Sequence, residues 1–462
     1  MTHIKITQGL DIPIKGKPRG QVQKLFNQAE GTNLQRPEKI ALNLSPFDGI
    51  RFKLLAKEGD HVKIGDPLVE DRQTPGRVFV SPAAGAIIEV RRGLKRKLLD
   101  MVIKVDDSEN YKKFEKINPA TATREALIEK LLEGGLFAYI RTRPFDLLAD
   151  PKKVPRAIFI KALESAPFVP PAELQVEGNE KEFQTGLDAL AKLTDGNCHL
   201  ICRADSTCVA FKNAKQVTIH TAEGPHPISN ASLHIERIEP IQSVEDCIWT
   251  LTALDVVAIG YFLTTGTVYI DRIISIAGPA ILPERTGYFR LRSGFPIAPL
   301  IAGRIPEGSI RFVSGDPLMG QQVKSTDFLG FYDTAFCAIP DPQYREFLHF
   351  FRLGANKYSS SRAYFSGHKK NGRLYDFTTS QHGEKRAFID PDLYDRVMPL
   401  KVPTMQLVKA VMAEDYDLAE QLGLLDVVPE DFALPTFVCP SKVEMTEIIR
   451  NGLSSHASEV VG

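Results

Sequence analysis

The sequence predicts a multidomain chain of β and α/β parts. A small β barrel or sandwich comes first, then an α/β layer, a second small β module and a mixed, mostly helical C-terminal domain. Three observations predict it. Residues 1–105 hold many short alternating runs parted by Gly and Pro. From Thr121 to about residue 258, helical stretches alternate with short buried-strand runs. The 462 residues, 43% hydrophobic and 25% charged, are enough to fill several cores.

The elements follow in order. Phe52, Leu54 and Ala56 alternate with polar residues, as do Val62 and Ile64, and short apolar runs recur at 78–80, 87–88 and 101–103. Turn residues separate them at Gly59-Asp60, Gly65-Asp66-Pro67, Thr74-Pro75-Gly76, Ser81-Pro82 and Gly85. Thr123 is a candidate N-cap before Leu127, Leu131 and Leu132. Strands are expected at 157–160 and 200–202, with an amphipathic helix over 183–193 between them. The runs 268–270 and 272–277 read as a hairpin opening the second β module, which ends near Pro317. Helices are expected at 343–352, 404–422 and 442–451. The domain divisions expected are 1–110, 111–260, 261–318 and 319–462.

Lys and Arg number 57, as do Asp and Glu, so no global attraction to nucleic acid or anionic lipid is encoded, and no nucleic-acid partner is predicted. The most apolar run, 247–263, is broken by Asp255 and falls short of the roughly 20 residues a membrane span needs. MTHIKITQGL lacks the apolar core of a signal peptide, so the chain is expected to stay in the cytosol. Cys198, Cys202, Cys208, Cys247, Cys337 and Cys439 contain no CxxC pair, which fits reduced thiols. Neither their spacing nor that of His220, His226 and His234 matches a zinc site, and no metal is predicted. GxGxxG, Walker A, HExxH and GxSxG patterns are all missing.

The stretch Glu58-Gly59-Asp60-His61-Val62-Lys63-Ile64-Gly65-Asp66-Pro67-Leu68, followed by Ser81-Pro82-Ala83-Ala84-Gly85, resembles biotinyl/lipoyl-type barrel-sandwich domains. Carriers of that type hold a lysine at the tip of the intervening hairpin. Here residues 69–77 contain Arg72 and Arg77 but no lysine. A guanidinium is neither nucleophilic nor deprotonated, so the fold is expected without the carrier function and without a covalently bound cofactor.

A wider resemblance rests on a set of segments. They are Gly9-Leu10-Asp11-Ile12-Pro13-Ile14, Arg141-Thr142-Arg143-Pro144-Phe145, Gly224-Pro225-His226-Pro227, and Asp255-Val256-Val257-Ala258-Ile259-Gly260. Further along come Arg272-Ile273-Ile274-Ser275-Ile276-Ala277-Gly278-Pro279, Tyr394-Asp395-Arg396-Val397-Met398-Pro399-Leu400 and Thr436-Phe437-Val438-Cys439-Pro440. As a set, in this order and spanning nearly the whole chain, they resemble the NqrA family of subunits from sodium-translocating NADH:quinone oxidoreductases. That family is in turn similar to the Rnf complex C subunit and to the NADH-binding flavoprotein subunit of respiratory complex I. The resemblance implies a lipoyl-like barrel-sandwich hybrid, a Rossmann-like α/β layer and a β-grasp-like (SLBB) module. It also implies a peripheral subunit on the cytoplasmic side of the bacterial inner membrane, in a six-subunit complex that passes electrons from NADH to ubiquinone and exports sodium.

Departures from the distant relatives set the expected role. Their Gly-rich flavin loop corresponds here to residues 134–145, where Tyr139 and Ile140 fill the space a cofactor's approach requires. An iron–sulfur cluster needs four ligands, and near the C-terminus only Cys439 remains. NADH, flavins and the cluster are therefore expected on other subunits. Phe137, Tyr139, Arg141, Arg143 and Phe145 form the candidate quinone-binding set, the competing reading being that Arg141–Phe145 is a packing motif with structural ion pairs. The basic turn 91–97 reads either as a solvated hairpin or as a contact for anionic headgroups or a partner. The rival from another class is a free-standing soluble dehydrogenase that uses NADH or flavin.

Overall fold

The computed structural model describes residues 1–23, 26–27, 32–33, 37–344, 346–348, 351–360, 363–368 and 372–460. The alternating runs near the N-terminus form two facing sheets. One has the order Lys39–Asn43, Leu98–Val105, Gly85–Arg92, His61–Val62, and the other Phe52–Leu54, Pro67–Asp71, Val78–Val80. Ile40, Leu42, Val69, Phe79, Ile87 and Met101 fill the space between them. The two Gly-Asp turns work alike: Asp60 accepts from the Lys57 N–H at 2.9 Å and Asp66 from the Lys63 N–H at 2.7 Å. The hairpin on which a carrier would present its lysine is tied down. Arg77 is 5% exposed, paired with Asp71 at 3.0 Å and bonded to the Ala149 carbonyl of the next domain.

The α/β layer holds seven strands in the order His3–Lys5, Thr218–Glu223, Asn197–Arg203, Ala157–Ala162, Ile248–Thr252, Arg141–Arg143, Leu147–Leu148. The first five are parallel and the last two antiparallel. Thr123 caps the helix Arg124–Glu133, accepting from the Ala126 N–H at 3.2 Å, as its position predicts. The apolar run broken by Asp255 is a buried strand followed by the helix Ala253–Thr265; Asp255 belongs to that helix's capping box with Thr252. This helix crosses Glu180–Leu193 backbone against backbone. A Cβ on Gly260 would sit 1.7 Å from the Glu182 carbonyl oxygen, and one on Gly186 would sit 2.2 Å from that of Val256.

Three boundaries differ from expectation. The first residues are not part of the barrel: His3–Lys5 extends the α/β sheet, and Val22–Gln23 pairs with Gly287–Arg292 in the next sheet. The β-grasp-like module does not end near Pro317, because Ala335–Pro340 pairs with both Asp271–Ala277 and Ile310–Ser314 inside its six-stranded sheet. Its opening hairpin pairs Asp271–Ala277 with Gly287–Arg292, whereas residues 268–270 are not a strand. Val268 and Ile270 are buried in the α/β core, so their apolar character reflects packing after the left-handed Gly266 cap.

In the C-terminal domain the helix expected at 404–422 is two, Thr404–Met412 and Tyr416–Gln421. Between them Glu414 is left-handed and Asp415 caps the second by accepting from the Leu418 N–H. The last helix runs Met445–Val460, starting later and ending later than expected. Of the helix expected at 343–352, residues 345, 349 and 350 lie outside the described set, and the described ones form no α-helix.

Gly260→Ala should cost about 3 kcal/mol or more, because the methyl meets backbone that cannot step aside. A urea titration that finds the variant within about 0.5 kcal/mol of the parent would contradict the close crossing.

Candidate functional site

The chain leaves strand Ala157–Ala162 for Asn197–Arg203 and Thr218–Glu223 on one side, then returns to Ile248–Thr252 on the other. The carboxyl ends of Ala157–Ala162 and Ile248–Thr252 therefore flank a topological switch point, where open α/β sheets form a crevice. A cavity of about 240 Å³ lies there. Lys161 and Glu164 line it from the first strand's end, and residues 252–255 line it from the start of the following helix. Arg272, Asp316, Tyr332 and Asp333 wall it from the β-grasp-like module, and Glu430 from the C-terminal domain.

Its charge is lopsided, with two cations facing five carboxyl groups. Lys161 Nζ pairs with Glu164 at 3.0 Å. Burial pulls the Lys161 ammonium down, but the carboxylates of Glu164 and Glu430 outweigh it and hold it above its ordinary range. Burial raises Glu164, Asp255 and Asp333. Asp316 is pushed up to about 7 by burial, although it accepts N–H bonds from Leu318 at 2.8 Å and Met319 at 3.2 Å. Arg272 bonds the Phe331 carbonyl and lies over the rings of Tyr139 and Phe331.

The five residues singled out from sequence do not line one cavity. Phe137 is fully buried, edge-on to Trp249 at 5.8 Å. Arg143, 2% exposed, bonds the Ser232 hydroxyl, which itself donates to Asp431 beneath the C-terminal domain. Phe145 is buried with its ring edge-on to His456 at 5.6 Å. Tyr139 and Arg141 do converge. Tyr139 stacks on Phe331 at 5.1 Å, and Arg141 pairs with Asp146 at 2.8 Å and lies 5.9 Å from the Tyr332 ring. Tyr332 in turn lines the cavity and donates to the Ala138 carbonyl at 2.6 Å.

The turn that would cradle a cofactor phosphate is occupied by its own chain. Leu136, Phe137, Ala138 and Ile140 are buried, and the N–H groups of Gly134, Gly135, Ala138 and Tyr139 all donate within residues 130–139. Flavin and dinucleotide phosphates need free N–H donors and tolerate carboxylates poorly, so the residues present do not fit either group. Sequence reading missed Lys161, Glu164, Asp316 and Tyr332. The available signal was position: Lys161 and Glu164 sit at and just past the end of the predicted 157–160 strand, and Asp255 interrupts an apolar run.

Three family models match in chain order: the NqrA N-terminal barrel-sandwich hybrid domain over residues 4–106, the NqrA second alpha/beta domain over 122–268 and the NQRA C-terminal domain over 273–325. The corresponding Na(+)-translocating NADH-quinone reductase subunit of Chlamydia caviae is 36% identical, across 99% of this chain and 97% of its own length. Its counterpart from Saccharophagus degradans is 35% identical across 98% of each chain. That of Photorhabdus laumondii is 33% identical across 99% of this chain and 100% of its own. Among solved structures, an NAD+-reducing [NiFe]-hydrogenase in the air-oxidized state covers 75% of this chain, and this chain covers 62% of its own, at 12% identity and a TM-score of 0.38, too distant to say more.

The raised Asp316 gives a pH signature. Its native pKa of about 7 lies above that of an unfolded aspartate, so the stability it contributes is complete in acid and is lost as pH rises through 7. Asp316→Asn keeps the acceptor for Leu318 and Met319 without the buried charge. The variant should match the parent near pH 4 and exceed it by on the order of 3 kcal/mol at pH 8 in urea unfolding. An equal difference at both pH values would contradict the assignment.

Proposed function

The chain belongs to the NqrA family of Na+-translocating NADH-quinone reductase subunits, and from that premise we propose that it serves such a complex as a peripheral, quinone-contacting component. The observation that carries the premise is 36% identity maintained over 99% of the chain, with the matched domains in order. Among the described residues no helix is long and apolar enough to cross a membrane, which supports attachment through contacts with the other subunits. In this reading the complex has six subunits, this one on the cytoplasmic face of the bacterial inner membrane. NADH, flavins and the iron–sulfur cluster reside on other subunits, a reading supported by the buried side chains of the 134–145 turn and by the N–H groups of Gly134, Gly135, Ala138 and Tyr139, which are bonded internally.

Ubiquinone makes different demands from a nucleotide. Its headgroup is neutral, so a carboxylate-rich wall does not repel it as it would a phosphate. Its carbonyls accept hydrogen bonds, and Lys161 is a charged donor lining the switch-point cavity. Tyr332 supplies an aromatic wall, held by Ala138 and backed by Arg141 and, through Phe331, by Tyr139. Two of the five sequence-selected residues thus support the site from behind. Phe137, Arg143 and Phe145 anchor the turn in the cores on either side of it.

In the assembled complex, Lys161→Gln should raise the KM for a short-chain ubiquinone roughly threefold to tenfold, the size of one ordinary hydrogen bond. NADH oxidation with an artificial acceptor should stay unchanged, and the chain alone should oxidise no NADH. Unaltered quinone kinetics in an intact complex would leave the chain a scaffold. NADH oxidation by the isolated chain would contradict the proposal outright.

A further inference from the structure

The barrel domain carries a second concavity, remote in sequence from the switch point and unused by the quinone reading. It measures about 200 Å³ and lies between residues 47–54 and the hairpin tip at 92–98. Its apolar floor comes from Phe47, Phe52 and Leu98, and five cations surround it: Arg51, Arg92, Lys95, Arg96 and Lys97. Among the described residues no carboxylate lines it. On the rim Asp48 pairs with Lys97, and Arg92 bonds only the Arg96 carbonyl among the described residues. The side chains of Arg51, Lys95 and Arg96 have no hydrogen-bond or ion-pair partner among the described residues.

The tip is a formed turn. Gly93 donates to Lys97 at 2.8 Å and Arg96 donates to Gly93 at 3.2 Å, while Lys95 and Arg96 take left-handed φ of 52° and 61°. One residue earlier in the hairpin, Arg91 is held by the Thr326 carbonyl at 3.3 Å and by Asp327 at 3.4 Å, bracing it against the β-grasp-like module. At the apex Leu94 is 93% exposed, with Leu54 and Leu55 also exposed near the same groove. A cationic ring over an apolar floor, with a leucine projecting from its rim, matches an anion joined to an apolar tail.

We propose that this groove binds the phosphate headgroup of an anionic membrane lipid, with Arg51, Lys95 and Arg96 on the phosphate and Leu94 inserted among the acyl chains. The choice of a lipid over a water-soluble phosphate ester rests on membership of a membrane complex and on the projecting Leu94; the ring of cations would attract either. Neutral net charge of the whole chain means that any such attraction is local, from this patch alone.

The test uses the full chain and two probes: phosphatidylcholine vesicles with and without phosphatidylglycerol, and glycerol phosphate free in solution. The chain should sediment with the anionic vesicles, not with phosphatidylcholine alone, and added salt should release it. Arg51→Ala with Arg96→Ala should weaken that partition on the order of thirtyfold, from the loss of two surface cations. Leu94→Ser should weaken it several-fold while leaving any glycerol phosphate binding as it was. All these positions are exposed, and matching thermal melts establish that the variants fold. Equal partition of parent and double variant would overturn the site. Glycerol phosphate binding as tight as vesicle binding would assign the groove to a soluble ester and overturn the lipid. Absence of vesicle binding, with the double variant unable to rejoin a complex stripped of this chain, would assign it to a protein partner and overturn the lipid as well. Assembly into the complex is read separately, so failure on vesicles leaves the reading of the chain as part of that complex intact.

Discussion

Two helices touch backbone to backbone at Gly186 and Gly260, and the carboxyl edge of the sheet is built on that contact. It fixes the height of helix Ala253–Thr265 against the sheet. Its capped first turn, Thr252 to Asp255, lines the same cavity as Lys161 at the end of strand Ala157–Ala162. The β-grasp-like module and the C-terminal domain then close over the same edge, contributing Arg272, Asp316, Tyr332 and Glu430. A cavity with walls from three domains results, at the place where open α/β sheets hold ligands.

The chemistry of that cavity separates this chain from nucleotide-binding folds more sharply than its topology does. Five carboxyl groups against two cations make a poor seat for a phosphate. Four N–H groups of the neighbouring turn bond within residues 130–139, and at its far end side chains serve packing: Arg143 reaches Ser232 and the C-terminal domain, and Phe145 reaches His456. The same economy governs the barrel, where Arg77 docks the hairpin onto Ala149 in place of a mobile carrier lysine. In both places a buried arginine joins one part of the chain to another.

Much of the fold was legible because it is written in local chemistry. The Gly-Asp turns of the barrel, the Thr123 cap and the strand-helix alternation of the α/β layer each depend on residues a few positions apart. What could not be read are pairings decided at long range. Nothing local marks Ile4 as an α/β-sheet residue, since its strand exists only because Thr218–Glu223 lies alongside. Val268 and Ile270 alternate like a strand, yet burial against the α/β core accounts for them. The site was legible only in part: Lys161, Asp316 and Tyr332 lie apart in the sequence and meet only in three dimensions.

The proposal that the switch-point cavity holds a neutral quinone headgroup is open to direct observation. The decisive measurement is a structure of the assembled complex with a bound quinone analogue. Headgroup density is expected between Lys161 and Tyr332, with a carbonyl within hydrogen-bonding reach of the Lys161 ammonium. Flavin or nucleotide density in that cavity, or a quinone bound only among the membrane subunits with the cavity empty, would contradict it.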